Sequence, residues 1–267
     1  MSDPRLRNRS RDATFLCYHS VAAAGPIYLT ISKEAFTGQL DDLEALGLRT
    51  GGLAELEALA AGDPMPPTVF LTFDDGFLDN HQTVLPLLRE RGMKAFVFII
   101  PPLVDEGAPL AWPELAEAAV RHPGTLRSLT WEMAEQMRDS LFEVGAHTLT
   151  HPHLPLLDDA ALRQELGESR ERIIARLGAC ETLAYPFGQW SQRVAAAAAA
   201  CGYRFAFTLP TSHGQSAADE LTIPRLNVDS RDVGSRFRFK LSPLGRRLYL
   251  SPTTRGLRRA VGRLRGG

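Results

Sequence analysis

Seven short apolar runs, rich in β-branched and aromatic residues, recur along the chain: Ala13 to Tyr18, Thr68 to Phe73, Lys94 to Ile100, the run opening at Phe142, Glu181 to Tyr185, Tyr203 to Leu209 and Leu221 to Val228. Each has the length and composition of a buried strand. Between them the apolar positions fall at helical spacing. Ser32 to Leu46 carries Phe36, Leu40, Leu43 and Leu46 on one side, with Ser32 placed to cap its start and Gly47 to end it. Leu53 to Ala61, Asp79 to Arg91, Thr130 to Asp139, Asp158 to Leu177 and the alanine run after Val194, closed by Gly202, also read as helices. The charges of Asp158 to Leu177 read as a solvated face. Pro101 to Pro113 reads as a proline-rich loop carrying Trp112, long enough to overhang the mouth of a barrel, and a polar loop with His213 separates the last two strands.

Strands alternating regularly with helices call for parallel pairing. A chain of 267 residues that is 44% hydrophobic can bury one large core, so a single (β/α) barrel accounts for residues 13–232. Residues 1–12 form a polar, arginine-rich extension without an apolar stretch suited to a signal peptide or a membrane span, from which a cytoplasmic location is expected. The three cysteines, Cys17, Cys180 and Cys201, are odd in number and lack metal spacing, so they read as reduced thiols. The formal charge of −1 hides a segregated end: after Asp232 there is no acidic residue, while ten basic ones remain. Residues 233–267 therefore read as a basic tail that suits either solvent or the surface of an anionic membrane. Nucleic acid is disfavoured as a partner, because nothing in the candidate chemistry calls for it.

That chemistry lies at the ends of strands. Thr68 to Phe73 stops in Asp74-Asp75-Gly76, and the run from Phe142 stops in His147-Thr148-Leu149-Thr150-His151. Adjacent aspartates repel unless a cation or a basic partner offsets them, although Asp and Gly are also ordinary turn residues. Two histidines four apart can face one metal ion. Together with one aspartate they make a facial set with open positions for water and substrate, as a hydrolytic site requires. His19 follows the first strand at the barrel end where catalytic groups gather; a hydrogen-bonded structural histidine is the alternative.

Thr72-Phe73-Asp74-Asp75-Gly76, then His147 to Pro152, then Ala184-Tyr185-Pro186-Phe187-Gly188 resemble the first three motifs of the polysaccharide deacetylases of carbohydrate esterase family 4, the NodB-homology domain. The likeness runs from about Phe15 to Val228. The third motif departs from the family pattern, because the usual arginine before the proline is missing. The resemblance implies a distorted (β/α) barrel of about seven parallel strands and metal-dependent removal of N-acetyl groups from an amino-sugar glycan. It implies that Asp75, His147 and His151 hold one divalent ion (zinc, with cobalt or nickel as alternatives), and that Asp74 is the general base. A backbone N–H beside Tyr185-Pro186-Phe187, most plausibly that of Phe187, would serve the oxyanion. Tyr18-His19 is further similar to the opening of the poly-β-1,6-N-acetylglucosamine deacetylases, which implies that His19 protonates the leaving amine. Arg225, flanked by apolar neighbours in the last strand, needs an anionic partner if it points inward. Asp74 is the natural one; a surface position is the alternative. A deformylase or cyclic amidase on the same scaffold, or an inactive glycan-binding module, would share most of these features.

Overall fold

The structure, a computed structural model, describes residues 13–26, 28–110, 112, 115–122, 124–210 and 219–250. The N-terminal extension, the His213 loop, Pro113 and the tail beyond Leu250 lie outside the described residues.

The main sheet comprises β1 (Ala13–Tyr18), β2 (Thr68–Phe73), β3 (Ala95–Ile99), β4 (Phe142–Ala146), β5 (Thr182–Ala184), β6 (Phe205–Thr208), β7 (Ile223–Pro224) and β8 (Leu226–Asn227). They lie in the order β7-β6-β5-β4-β3-β2-β1-β8, every neighbouring pair parallel, with Arg49–Thr50 added beside β2. The eighth strand comes from a division of the last expected one. Ile223 and Pro224 continue the β6 edge, Leu226 and Asn227 pair with β1, and Arg225 stands between them. The two edges of the sheet are therefore one residue apart, and the sheet curls into a nearly closed barrel.

The period-2 alternation of these strands sorts two apolar sets. Phe15, Phe70, Phe96, Phe98 and Phe207 lie with ring centroids 4.6–6.4 Å apart. Phe15 on β1 and Phe207 on β6 are not on neighbouring strands, so their rings can meet only across the barrel interior. The intervening positions Leu16, Tyr18, Val69, Leu71, Phe73, Val97 and Ile99 face outward and pack beneath the helices.

Those helices are α1 (Lys33–Ala45), α2 (Leu53–Ala61), α3 (Leu85–Arg91), α4 (Pro101–Glu106), α5 (Ala116–Arg121), α6 (Trp131–Arg138), α7 (Asp159–Leu177), α8 (Gln192–Ala200), α9 (Ser235–Leu241) and α10 (Pro243–Leu250). Ser32, Asp158 and Ser191 cap α1, α7 and α8 through their side-chain oxygens. Three segments differ from the sequence expectation. The first part of the proline-rich loop is the helix α4, since prolines in a first turn lack only an N–H that the helix would not use there. The helix expected from Asp79 opens instead with a π-helical segment, Asn80–Val84, before α3. Residues 235–250, set apart in sequence as the start of a basic tail, pack against the barrel as α9 and α10: Phe237 and Leu241 join the core, Lys240 pairs with Asp232, Arg238 with Asp42, and Arg246 donates to the Ala13 carbonyl. No helix of the described residues is long and apolar enough to cross a membrane.

Candidate active site

The in-register pairing of β1 with β2 ends at Tyr18 opposite Phe73, and Asp74 donates its N–H to the Tyr18 carbonyl at 3.0 Å. His19 and Asp74 thus leave the barrel side by side. One step round, β3 and β4 end at Ile99 opposite Ala146, and the His147 N–H bonds the Ile99 carbonyl at 2.8 Å. Asp74, Asp75, His147 and His151 are all buried at this mouth. Among the described residues, the non-glycine positions with left-handed backbone are Asp75, Thr148, His151 and Phe187, all of them here. Such conformations cost about 1–3 kcal/mol each and persist only where surrounding contacts enforce them.

The two aspartates have opposite surroundings. Arg225, with no exposed surface, grips Asp74 through two parallel hydrogen bonds of 2.6 and 2.7 Å, and also donates to the Thr72 hydroxyl at 2.9 Å. The guanidinium carbon lies 5.7 and 5.8 Å from the Phe98 and Phe207 ring centroids, so the cation caps the aromatic layer of the barrel. Burial, the largest single effect, would raise the Asp74 carboxyl; the charge and hydrogen bonds of Arg225, joined by His147 and His19, together outweigh it and hold Asp74 well below the usual carboxylate range.

Asp75 has no such cation. Its Oδ1 lies 3.2 Å from His147 Nε2 and 3.6 Å from His151 Nε2, yet has no hydrogen-bond partner. His147 Nδ1 sits 2.7 Å from the Ala184 carbonyl, which can only accept, so Nδ1 carries the proton and a neutral His147 turns a bare Nε2 toward a bare carboxylate oxygen. Only a proton or a cation among these atoms makes that arrangement attractive. Burial pulls His147 down, but its contact with Asp75 and the charges of Asp74 and Asp75 outweigh that and hold it up; for His151 burial prevails and lowers it to about 4. The ligand atoms of the trio lie within 4.8 Å of one another, and two imidazoles with one carboxylate fit a divalent transition metal.

His19 is partly buried, with its Nδ1 lacking a partner, and a ring nitrogen lies within 4.8 Å of Asp74 and the Cys17 thiol. Burial lowers its basicity and the Asp75 and Asp74 charges only partly restore it. The segment bearing it is fastened to the start of the π-helix: the Ser20 hydroxyl and the Val21 N–H donate to Asp79 at 2.7 and 2.8 Å, and Asn80 donates to the His19 carbonyl at 2.8 Å.

The third motif needs one correction. Tyr185 faces away from the mouth: its ring has no exposed surface and its hydroxyl donates to the Leu221 carbonyl at 3.0 Å, because the strand alternation turns this position toward the core. Its N–H is bonded to the Phe207 carbonyl at 3.0 Å, so of the expected Tyr185-Pro186-Phe187 set this residue has no free N–H for an oxyanion and serves as scaffold. Pro186 opens a tight turn in which Gly188 must be glycine, since a Cβ there would stand 2.3 Å from the Leu209 nitrogen. Phe187 reaches the site, its ring 4.6 Å from His151 and stacked on His153 at 4.2 Å. Trp112 stacks on His151 from another side at 4.4 Å.

The model of the polysaccharide deacetylase family matches residues 61–206, more than half of the chain. The chain belongs to the polysaccharide deacetylase family. This agrees with the membership indicated by the three motifs. YxkH of Bacillus subtilis (strain 168), classed as a polysaccharide deacetylase, is 26% identical over 227 residues, covering 83% of this chain and 73% of that one. The barrel is shared with the Streptococcus pyogenes deacetylase PplD, solved with acetate (TM-score 0.73, 21% identity, 86% of this chain and 98% of that one). It is shared also with IcaB from Ammonifex degensii (TM-score 0.66, 24% identity, 83% and 94%). In this polysaccharide deacetylase, which has no arginine directly before Pro186, the guanidinium that meets Asp74 comes from Arg225, between β7 and β8.

Three contributors to the mouth escaped the sequence reading. Thr72 was taken for strand core, Cys17 lies 3.5 Å from Asp74, and Glu165 on α7 bonds the loop between the histidines.

Proposed function

We propose that this polysaccharide deacetylase is a divalent-cation-dependent hydrolase that removes N-acetyl groups from an N-acetylated amino-sugar glycan. The observation that carries the proposal is the unpartnered Asp75 Oδ1 facing two imidazoles, directly beside an aspartate held ionised by Arg225. Asp75, His147 and His151 would hold the cation; when bound, such an ion acidifies a water molecule and polarises an amide carbonyl. Asp74 takes the water's proton. The bidentate arginine makes it a weak base but keeps it charged and aimed, so the water must be acidified to match it. As the water oxygen bonds to the acyl carbon and the C–N bond breaks, His19, beside Asp74 with an open Nδ1, gives a proton to the departing nitrogen, leaving the amine and acetate. The N–H of Phe187 receives the negative charge that develops on the acyl oxygen; the left-handed turn between Pro186 and Gly188, which holds that backbone in one conformation, supports this role.

Zinc suits the mixed imidazole and carboxylate set, and cobalt or nickel would suit it too. Acetate release from N-acetylated chito-oligosaccharides, before and after chelation and after restoring zinc, tests the proposal. Chelator-resistant release would defeat the metal reading. Formate release from an N-formylated sugar, with none from the acetylated one, would reassign the enzyme as a deformylase.

Peripheral attachment at the cytoplasmic face of an anionic membrane is a second reading for the C-terminal flank. It is supported by Leu244 and Leu248, exposed one helical turn apart on α10 near Arg247, in a segment that has no acidic residue after Asp232. Flotation with anionic vesicles at low and high salt, with and without residues 255–267, decides it; no difference on deletion removes the tail's part.

A further inference from the structure

The two histidines are joined by Thr148, Leu149 and Thr150, and this short loop is not a regular helical turn. Thr148 and His151 have φ of 67° and 58°, in the left-handed region. Its backbone N–H groups therefore lack the carbonyl partners that a helix would supply, and something else must accept them if the loop is to hold one shape. The Thr148 hydroxyl accepts the His151 N–H at 3.1 Å. Glu165, one and a half turns into α7, accepts two more: its Oε2 takes the N–H of Leu149 at 2.8 Å and of Thr150 at 3.0 Å, and its Oε1 takes the Thr150 hydroxyl at 2.6 Å. Three hydrogen bonds from consecutive residues converge on one half-buried carboxylate, and an ionised acceptor makes each stronger than a neutral one would.

The geometry matters because of where the loop leaves the rings. His147 is fixed independently by β4 and by the Ala184 carbonyl. His151 has no such anchor: its Nδ1 lacks a partner, and its ring rests against the rings of Trp112, Phe187 and His147 without a hydrogen bond to hold it. The backbone between them decides whether both Nε2 atoms reach the same oxygen of Asp75.

We propose that Glu165 is a positioning residue that holds the His147–His151 loop in its ligand-presenting form before a cation arrives, so that ligand preorganisation depends on a carboxylate from α7 that never touches the ion. This rests on the reading that Asp75, His147 and His151 bind a divalent cation. The alternative is that Glu165 only fastens a surface loop and changes stability alone.

Reach and charge separate these roles. Glu165→Gln keeps the reach: the amide oxygen can take both backbone N–H groups while the NH2 meets the Thr150 hydroxyl. Glu165→Asp keeps the charge but withdraws it by one methylene, about 1.5 Å. Zinc affinity is measured by competition with a chelator of known affinity, on the parent and on the Ala, Gln and Asp variants. Amide hydrogen exchange at Leu149 and Thr150 is followed in the metal-free proteins. The expected result is a roughly 10–100-fold weaker zinc affinity for Glu165→Ala and a similar weakening for Glu165→Asp. Glu165→Gln should stay within a few-fold of the parent, and protection of the two amides should be lost in the Ala and Asp variants alone. A parent that binds zinc and a Glu165→Ala variant that binds it equally well overturn the inference and leave the metal reading standing. A parent that takes up no zinc overturns both. If Glu165→Ala does not fold, the Gln and Asp variants carry the test, and Asp binding as tightly as Gln, or more tightly, overturns it.

Discussion

Among the described residues, two buried pairs of a basic side chain with an aspartate, Lys240–Asp232 and Arg225–Asp74, differ in what surrounds them. Lys240 and Asp232 meet where α9 packs on the barrel, with 3% and 0% of their side chains exposed. Lys240 donates also to the Asn227 carbonyl; Asp232 accepts in addition the Asp229 N–H and Arg236, while its backbone carbonyl takes Gln39. The charged atoms there all have partners, and the polar atom left over in the network, Gln39 Oε1, belongs to a neutral amide. Arg225 and Asp74 are just as deeply buried, but their neighbourhood has surplus capacity: Arg225 Nε, Asp75 Oδ1, His19 Nδ1 and His151 Nδ1 all lack partners. Buried polar groups are ordinarily satisfied. Burial of charge therefore does not distinguish a site from a brace; unanswered polar atoms gathered beside the charge do.

The sharpest way to break this comparison is to remove a ligand from the unsatisfied side. His147→Ala or Asp75→Asn should abolish both metal retention, read by elemental analysis, and acetate release, with circular dichroism unchanged because the ligands lie at the barrel mouth. Stoichiometric metal in His147→Ala would mean that the open atoms serve another purpose. Next in size, Asp74→Asn should keep the metal and lose roughly two to four orders of magnitude in turnover. Equal loss of metal in the two aspartate variants would erase the division of labour between them. Arg225→Met should move the acidic limb of the pH–rate profile to higher pH. The base works only when ionised, Arg225 holds its ionisation well below the usual range, and removing the cation lets burial raise it. An unmoved limb would assign that limb to another group.

The satisfied pair should respond in stability instead. Lys240→Met leaves Asp232 buried without its cation and should cost about 3–5 kcal/mol, read in denaturant, while the fraction that remains folded turns over normally. Adding Asp232→Leu should recover most of that cost; a double variant no more stable than the single one would show that packing, not charge, was lost. The smallest effect concerns Asp79. Burial raises its carboxyl to about 6 despite hydrogen bonds from Val21, Ser20 and Asn80. The folded chain thus holds this proton more tightly than the unfolded chain does. Its contribution is fully present below about pH 4 and is lost as pH rises to about 6. Asp79→Asn should flatten that slope and raise Tm above about pH 6; parallel Tm–pH curves for variant and parent would refute it.

Much of the barrel was legible because its strands are contiguous and apolar, and because Asp74, Asp75, His147 and His151 sit in turns directly after them, where chain order and space coincide. Which N–H of Tyr185-Pro186-Phe187 stays free was not legible, because a motif states neighbours, whereas the bond of the Tyr185 N–H to Phe207 depends on how the strands pair. Glu165 was invisible for a related reason. On a helix carrying many charges, nothing local separates a carboxylate in water from one bonded to a loop 15 positions upstream. The packing of α9 and α10 was hidden by their arginines, which suggest solvent until Asp42, Asp232 and the Ala13 carbonyl are in place to receive them.

The change of partner at Arg225 also bears on when activity can begin during synthesis. Leu16, among the first barrel residues to leave the ribosome, pairs with Leu226, and the guanidinium that holds Asp74 in its ionised state lies one residue before that contact. A nascent chain that ends before Arg225 already carries seven of the eight strands and both histidines, while Asp74 still lacks its counter-charge. Joining the sheet edges and supplying the counter-charge of Asp74 are thus a single event, because Arg225 lies between the two contacts that bring those edges together.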